Sequence, residues 1–418
     1  MKKITKVFLI IGVVMMVFFV VPLLTIFVAW NGEIRSVSSI KLVSDEVVEN
    51  KAGPVYEMTV HGDYYFDDFV EQGGMSNDND LSDFIVGKIT KGLVDIELAA
   101  PEIGCAGFTV ETEEGNRLFG RSYDFGPGAS TSMIVTTNPG NGRYSSVSSV
   151  DLGFLSVGNG TYMSGIMDEI ICMAAAYVPL DGINEKGLSV GILMTYQGDE
   201  TVATDQNFSD RDDYTSTTML RYMLDYCATI EEAIDFAKSI NLHDSAGTSF
   251  HYMIADATGA SAVLEWVTPN ANDLTDNDGS TRVLNVVRND DDINGPSNCE
   301  TNDFQYATNF ILTPGYYDNY TTDAPGYNRY LTLEQKINPN GTNTEGIVED
   351  FDSGIDILKS VARRTYDGGD DNNGLTIWSA LYDLTDLKMR WVGNEYFDDN
   401  SFIFDYQFNA KSNRFELV

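Results

Sequence analysis

The sequence has 418 residues, of which 63 are acidic and 26 basic, so that its formal net charge is −37 at pH 7. This acidity excludes nucleic acid as a partner, because contacts to phosphate require basic patches. Four cysteines in so long a chain do not constitute the disulfide scaffold of a small secreted domain. We find no Walker motif, dinucleotide-binding fingerprint, zinc ligand set or internal repeat.

The N-terminal region is strongly apolar. Residues 7–30 form a run of 24 positions without a charged side chain, and Lys2, Lys3 and Lys6 precede it. This run is long enough to span a hydrocarbon core of about 30 Å and exceeds the apolar region of a typical signal peptide. The lysines favour a cytoplasmic N-terminus. We predict that residues 1–30 anchor the protein in the cell membrane, with the rest of the chain outside the cytoplasm; a cleaved signal peptide and a secreted protein are the alternative.

The next stretch, residues 31–104, contains no recognisable chemistry. Its composition predicts strands at 36–48 and 55–60 and a polar, acidic loop at 66–82. Residues 83–99 have helical character that two glycines weaken.

A predicted β-hairpin follows. Residues 107–111 and 117–123 are rich in strand-forming residues, and residues 114–116 suit the turn between them. Because a hairpin folds its two ends back together, Cys105 at its head should lie near Arg121 and Asp124 at the end of the return strand.

These three residue types suit nucleophilic catalysis. A guanidinium favours the reactive thiolate, and a carboxylate can hold a cationic base. The three histidines of the chain lie in no Cys/His signature. If the chain is cut just before Cys105, its new α-amino group, with a pKa of roughly 7.7–8.0, can act as the base. A buried structural cysteine beside a surface Arg/Asp pair is the alternative interpretation.

The spacing of Cys105, Arg121 and Asp124 resembles that of the choloylglycine hydrolases, also called linear amide C–N hydrolases. This family of N-terminal nucleophile (Ntn) hydrolases includes bile salt hydrolases, penicillin V acylases and relatives of acid ceramidase. The resemblance implies an α+β fold, a four-layer αββα sandwich, and autocleavage between Gly104 and Cys105. It implies that residues 31–104 are a propeptide or small subunit, that residues 105–418 are the catalytic domain, and that no cofactor is needed.

Residues 181–188, Asp-Gly-Ile-Asn-Glu-Lys-Gly-Leu, predict a turn between two strands and also resemble a turn of this family. In the family, the strand after this turn delivers a polar residue to the site. This chain has Met194 there, followed by Thr195. We predict that both bind substrate; the departure at Met194 leaves the oxyanion hole and the substrate open.

Two later segments also resemble the family. In residues 306–310, the resemblance implies that Asn309 stabilises the oxyanion. In residues 325–331, it implies that Arg329 lies near the nucleophile. An ordinary turn asparagine and an exposed helix arginine are the alternatives. Between the two segments, residues 316–320 suggest a mobile aromatic loop, either the roof of a substrate pocket or simply a loop.

The remaining patterns predict ordinary structural elements. His251 is interpreted as a structural histidine, and the acidic loop at 367–374 as a solvated turn rather than a calcium site. The predicted helices are 215–226 and 229–240, and the predicted strands are 251–256, 262–267, 375–382, 388–392 and 402–408.

Taken with the resemblance, these residues predict an extracytoplasmic hydrolase of linear amide C–N bonds that acts on a small-molecule amide with an apolar acyl group. Its predicted catalytic residues are Cys105, Arg121, Asp124, Asn309 and Arg329. Conjugated bile acids, penicillin V, N-acylethanolamines and acyl-homoserine lactones are all possible substrate classes. An acyltransferase and an anchored, non-catalytic binding protein on a hydrolase scaffold are the alternatives.

Overall fold

The structure is a computed structural model that describes residues 30–45, 53–92, 96, 103–125, 130–197, 201–269, 278–289, 304–340, 346–363 and 375–418. Its strands are β1 (Lys41–Ser44), β2 (Val55–His61), β3 (Ile103–Thr112), β4 (Arg117–Phe125), β5 (Ser132–Asn138), β6 (Ser146–Asp151), β7 (Asp181–Asn184), β8 (Ser189–Met194), β9 (Asp212–Thr215), β10 (Ile240–His243), β11 (Phe250–Ala255), β12 (Ser261–Val267), β13 (Val283–Arg288), β14 (Gln305–Ala307), β15 (Ile347–Val348), β16 (Leu375–Asp383), β17 (Lys388–Gly393), β18 (Ile403–Asn409) and β19 (Arg414–Leu417). Its α-helices are α1 (Asn31–Ser38), α2 (Phe66–Glu71), α3 (Asp78–Ile85), α4 (Ile166–Ile171), α5 (Ser216–Tyr226), α6 (Ile230–Ser239), α7 (Tyr320–Asp323), α8 (Tyr327–Ile337) and α9 (Phe351–Val361).

Most of the strands belong to two large sheets. Sheet I has nine strands in the order β1-β2-β5-β6-β7-β8-β11-β12-β13. Sheet II has the order β14-β3-β4-β16-β17-β18-β19, and β15 also pairs with β3. Neighbouring strands are antiparallel except for β2 with β5 and β15 with β3. A separate pair, β9 and β10, is parallel.

The two sheets pack face to face, and glycines lie where they approach most closely. A Cβ atom added to Gly107 of sheet II would lie 3.1 Å from the sulfur of Met253 in sheet I. A Cβ atom added to Gly191 of sheet I would lie 3.2 Å from the ring of Phe119 in sheet II. Larger residues at either position would push the sheets apart.

Helices cover the outer faces of both sheets. Helices α8 and α9 pack on sheet II, against β3, β14, β4 and β16. Helices α5 and α6 pack on sheet I, against β7, β8, β12 and β13. The architecture is therefore the mixed α+β fold that the sequence predicted, with two stacked sheets between helices.

The predicted hairpins, the C-terminal strands and the two predicted central helices are confirmed with small shifts in their ends. Both helices begin at the predicted threonines: Thr215 forms a capping box with Thr218, and the side chain of Thr229 accepts a hydrogen bond from the backbone N–H of Glu232.

Two predictions before Cys105 were wrong. The first part of the predicted strand at 36–48 belongs to helix α1, and the strand itself begins at residue 41. The predicted acidic loop at 66–82 contains helix α2 and the first part of helix α3. Its acidic residues suit the first turns of these helices, and Phe66 and Phe69 are buried.

The predicted membrane anchor lies, apart from Trp30, outside the described residues. Within the described ranges, the structure contains no helix with the length and hydropathy that a membrane span requires.

The segment before Cys105 and the segment after it form one folded unit. Strand β2 pairs with β5 over its whole length. The side chain of Asp225, on α5, accepts a hydrogen bond of 2.5 Å from the hydroxyl of Tyr64. Asp225 also forms ion pairs with Arg221 at 2.9 Å and with Arg143 at 3.1 Å, and all these side chains are buried. The predicted boundary between Gly104 and Cys105 lies within β3.

We expect Asp225→Ala to lower the free energy of unfolding by about 3–5 kcal/mol, because it removes the carboxylate that pairs with the buried Arg221 and leaves the buried Arg143 only its ion pair with the partly exposed Asp67. Urea denaturation measures this loss. The matched control is Asp235→Ala on α6, whose side chain is 80% exposed and lies 4.0 Å from Lys238. The control should change stability by less than about 0.5 kcal/mol; equal losses in the two variants would contradict the role of the buried cluster.

Candidate active site

The register of β3 and β4 determines which side chains meet. Cys105 lies opposite Tyr123, Gly107 opposite Arg121, and Gly104 opposite Asp124. Because side chains alternate between the faces of a strand, Cys105 and Arg121 share the face toward sheet I. Asp124 lies on the other face, toward α8. The hairpin thus brings Arg121 to the thiol and Asp124 to the backbone at Gly104.

Arg121 contacts the thiol directly. Its Nη2 atom lies 3.2 Å from Sγ of Cys105 and donates a hydrogen bond of 2.7 Å to the carbonyl of Ile192. Its Nη1 atom lies 3.0 Å from Oδ2 of Asp181 on β7. The guanidinium group therefore connects the nucleophile candidate on sheet II with two strands of sheet I.

Asp181 is a residue of the site that the sequence analysis did not identify. Besides Arg121, it accepts hydrogen bonds from Trp378 Nε1 at 2.9 Å and from the hydroxyl of Tyr382 at 2.5 Å. The segment that it begins was noticed for its turn, not for its carboxylate. An acidic residue next to an apolar run, residues 173–180, was the available signal.

Burial dominates the titration of Cys105. The side chain is fully buried, and this raises the pKa of its thiol above the ordinary value, although Arg121 lowers it. Asp124 raises the pKa further, while Arg329 and the backbone N–H of Met194 lower it. The expected contact with a guanidinium is present, but in the uncleaved chain it does not outweigh the desolvation of the thiolate.

Asn309 reaches Cys105 because β14 pairs with residues 107–109 of β3, and the chain then continues alongside the start of that strand. The backbone N–H of Cys105 donates a hydrogen bond of 3.0 Å to Oδ1 of Asn309. The Nδ2 atom of Asn309 donates to the carbonyl of Met194 at 2.8 Å. Its backbone carbonyl accepts from the N–H of Tyr196 at 3.1 Å. Asn309 thus connects the N-terminal side of Cys105 with the end of β8.

Arg329 is buried on α8 and forms an ion pair with Asp124. Its Nη2 atom also donates to the carbonyl of Val361 at 2.7 Å. The other oxygen of Asp124 accepts a hydrogen bond of 2.6 Å from the hydroxyl of Thr376. A Cβ atom added to Gly104 would lie 3.0 Å from Oδ2 of Asp124. The carboxylate therefore lies directly beside the backbone that precedes Cys105.

The two predicted substrate-binding residues lie at the end of β8 and just beyond it. Met194 is buried and takes part in the site through its backbone, whose N–H faces the Cys105 thiol. The hydroxyl of Thr195 lies 2.7 Å from that of Ser249, and its backbone N–H donates to the carbonyl of Ser249. The polar group of Thr195 is thus engaged with Ser249.

Residues 316–319 lie in a loop, as predicted, and residue 320 begins helix α7. Tyr316 and Tyr317 are buried. The hydroxyl of Tyr317 accepts a hydrogen bond of 2.9 Å from the N–H of Ile311 and donates to the carbonyl of Tyr196. These bonds tie the segment to the chain around Asn309.

In the described part of the chain, no group of three or more histidine, cysteine, aspartate or glutamate side chains is arranged to hold a metal ion. The acidic loop at 367–374 lies outside the described residues.

A family model described as acyl-coenzyme A:6-aminopenicillanic acid acyl-transferase matches residues 110–395, which is more than half of the chain. The chain belongs to this family. The resemblance to the choloylglycine hydrolase group is thereby confirmed at the level of the family. The match begins five residues after Cys105 and includes Arg121, Asp124, Asn309 and Arg329.

Solved structures of similar proteins include penicillin V acylase from Agrobacterium tumefaciens, at 16% identity and a TM-score of 0.42, covering 72% of this chain and 86% of that one. A variant of conjugated bile acid hydrolase from Clostridium perfringens has 17% identity and a TM-score of 0.42, covering 75% of this chain and 96% of that one. The N-acylethanolamine-hydrolyzing acid amidase ortholog of Caenorhabditis elegans has 17% identity and a TM-score of 0.38, covering 67% of this chain and 93% of that one. These values are too low to support an inference about activity.

Adding a methyl group at position 104 tests how closely the Asp124 carboxylate approaches the backbone of Gly104. Gly104→Ala places a Cβ atom against the Asp124 carboxylate, and we expect a loss of about 1–3 kcal/mol, as for other overpacked sites. Gly87→Ala is the matched control, because nothing lies within 4 Å of its added Cβ atom. The control should be neutral or stabilise the protein by up to about 1 kcal/mol.

Both variants are compared by urea denaturation in a Cys105→Ser background, with the uncleaved form purified for each. If Gly104→Ala is as stable as Gly87→Ala, the carboxylate does not lie beside this backbone.

Proposed function

We propose that the protein is a hydrolase of linear amide C–N bonds in which autocleavage before Cys105 exposes the nucleophile. One observation carries the proposal. The thiol of Cys105 contacts the guanidinium group of Arg121 at 3.2 Å, while the backbone nitrogen of the same residue is held by Asn309 at 3.0 Å. Both atoms that an N-terminal nucleophile uses, its sulfur and its nitrogen, thus have dedicated partners.

The first proposed step is self-cleavage. The sulfur of Cys105 attacks the carbonyl carbon of Gly104, and the Gly104–Cys105 C–N bond breaks to leave a thioester between Gly104 and the cysteine sulfur. Water then hydrolyses the thioester, which yields a carboxylate on Gly104 and a free α-amine on Cys105. The complete burial of the thiol is consistent with a precursor that cannot yet accept an external substrate.

In turnover, the new α-amine accepts the proton of the thiol, and the sulfur attacks the carbonyl carbon of the amide substrate. Asp124 stabilises the resulting ammonium group. The N–H group of Met194 and the side-chain amide of Asn309 donate to the oxyanion. When the C–N bond breaks, the leaving amine takes the proton from the ammonium group, and water hydrolyses the thioester to a carboxylic acid. No cofactor takes part.

We propose a small-molecule amide with an apolar acyl group as the substrate. We call residues 308–313 the Asn309 turn. Met194 and Phe310 lie next to Asn309 and are buried, which supports an apolar environment at this end of the site. The apolar run at residues 7–30 and the three lysines before it support a membrane-anchored protein whose catalytic domain lies outside the cytoplasm.

Acyl transfer is the second candidate, because the matching family model is named for an acyl-transferase. In that reaction an amine, instead of water, would attack the thioester. Mass spectrometry of the products formed with and without an added amine distinguishes the two activities.

We expect Cys105→Ala to abolish both self-cleavage and substrate hydrolysis, because among the described residues Cys105 supplies the sulfur that contacts Arg121. Intact mass and N-terminal sequencing should show a fragment that begins at Cys105 in the unmodified protein and only an uncleaved chain in the variant. Cys227→Ala is the control, since Cys227 is a buried cysteine on the far side of sheet I whose replacement should leave both reactions intact. Hydrolysis by the Cys105→Ala variant would refute the mechanism.

The two stages should differ in pH dependence. Burial raises the pKa of the Cys105 thiol in the uncleaved chain, and only the thiolate attacks, so self-cleavage should accelerate about tenfold per pH unit between roughly pH 6 and 9. Turnover by the cleaved enzyme should instead level off near the α-amine pKa of roughly 7.7–8.0. Time courses of fragment formation and of product release measure the two profiles; a self-cleavage rate independent of pH would contradict the assignment.

A further inference from the structure

A buried histidine and a buried glutamate lie opposite each other on neighbouring strands of sheet I, close to the chain that carries Asn309. His251 on β11 pairs in register with Glu265 on β12, and both side chains are fully buried. The ring Nδ1 atom lies 3.0 Å from Oε1 of Glu265, and the ring Nε2 atom lies 2.8 Å from the carbonyl oxygen of Thr308. The steps of the proposed function do not use this pair.

Glu265 holds the same stretch of chain at a second place. Its Oε1 atom accepts a hydrogen bond of 2.7 Å from the backbone N–H of Leu312. Its Oε2 atom accepts from the backbone N–H and the hydroxyl of Thr313, at 2.8 and 2.6 Å. The pair therefore forms hydrogen bonds with residue 308 on one side of Asn309 and with residues 312 and 313 on the other.

The hydrogen bonds indicate a rigid pair. Each ring nitrogen of His251 lies within hydrogen-bond distance of an oxygen, on Glu265 and on Thr308. The Glu265 carboxylate accepts three hydrogen bonds from residues 312 and 313 besides its contact with His251. Buried polar groups require such partners, and a network that is well satisfied makes its surroundings rigid.

Asn309 transmits this rigidity to the nucleophile. Its side chain accepts the N–H of Cys105 and donates to Met194, so its position depends on where the turn that carries it is held. Catalytic groups must be held within about 0.5 Å of the productive geometry, and a displacement of 1 Å can cost on the order of 10²-fold in rate.

We propose that His251 and Glu265 are positioning residues for the nucleophile, which hold the Asn309 turn so that Asn309 fixes the backbone nitrogen of Cys105. The expected effect on rates rests on the proposed function, whereas the expected effect on the Cys105–Asn309 hydrogen bond does not.

The test compares His251→Ala, which removes both ring contacts, with His251→Gln, whose amide can still donate to Thr308. The chain offers a matched control in His243→Ala. The ring of His243 also has an oxygen partner at each nitrogen, the carboxylates of Asp205 at 2.7 Å and Asp213 at 3.0 Å, but it belongs to the β9–β10 pair.

For the enzyme, we expect His251→Ala to lower the rate of self-cleavage and kcat by on the order of 10²-fold, with KM changed by less than about threefold. His251→Gln should recover at least about tenfold of that loss. His243→Ala should leave both rates within about threefold of the unmodified protein, even if its melting temperature falls. Losses in the two His251 variants that are equal, or that merely follow their melting temperatures, would overturn the positioning role.

Hydrogen exchange tests the geometry without any need for activity. In a Cys105→Ala background, the chain stays whole and the amide at position 105 still donates to Asn309. Adding His251→Ala should accelerate exchange at this amide at least about tenfold, and adding His243→Ala should not. Glu265→Gln is the second variant if His251→Ala does not fold, and it should act in the same direction.

Unchanged exchange at position 105 would overturn the inference whatever the activity of the protein. If the unmodified protein neither cleaves itself nor hydrolyses amides, while exchange responds as expected, the proposed function fails and the positioning role stands.

Discussion

The guanidinium group of Arg121 carries its positive charge in the space between the two sheets, where water cannot solvate it. Removing such an ion from water costs several kcal/mol unless acceptors replace the lost hydration. Sheet I supplies the carboxylate of Asp181 and the carbonyl of Ile192, and sheet II supplies the sulfur of Cys105. The ring of Trp378 lies 5.7 Å from the guanidinium carbon. These partners come from strands of both sheets. A shift of one sheet relative to the other would therefore leave Arg121 unpaired, and the free-energy cost of that state fixes how the two sheets are aligned.

A second buried cation occupies the opposite face of the same hairpin. Arg329 on α8 pairs with Asp124, which lies beside the backbone of Gly104. The peptide bond between Gly104 and Cys105 is therefore bracketed, with one arginine near the sulfur on its inner side and one arginine–carboxylate pair on its outer side. In the proposed reaction, the negative charge of Asp124 already lies where cleavage would create an ammonium group. The charge that the second stage needs would thus be built into the precursor before any bond breaks.

The surroundings of Cys105 in the intact chain disfavour its thiolate form. Burial keeps the pKa of the Cys105 thiol high in spite of the adjacent guanidinium group, and the N–H of Cys105 is already engaged by Asn309. The segment before the proposed cleavage point is part of the same structure, because β2 pairs with β5 and Tyr64 reaches Asp225. A cut within β3 would consequently change the chemistry at Cys105 more than it would change the fold.

The amino-acid sequence by itself determined the β3–β4 and β11–β12 hairpins, strands β16, β17 and β18, helices α5 and α6, and the proximity of Cys105 to Arg121. All of these depend on local information: side-chain alternation, turn residues and helix caps act over a few residues, and a tight turn makes positions 16 residues apart neighbours.

The prediction from composition was wrong where polar residues outnumber the apolar residues of a buried helix face. The two short helices α2 and α3 were therefore predicted to be an acidic loop. The positions of Asn309 and Arg329 were expected only from a family resemblance, and Asp181 and the His251–Glu265 pair were not identified as parts of the site. Asn309 lies 204 residues from Cys105, and Arg329 lies 205 residues from Asp124. Contacts over such separations are decided by how sheets and helices pack, because only burial shows which polar groups must find one another.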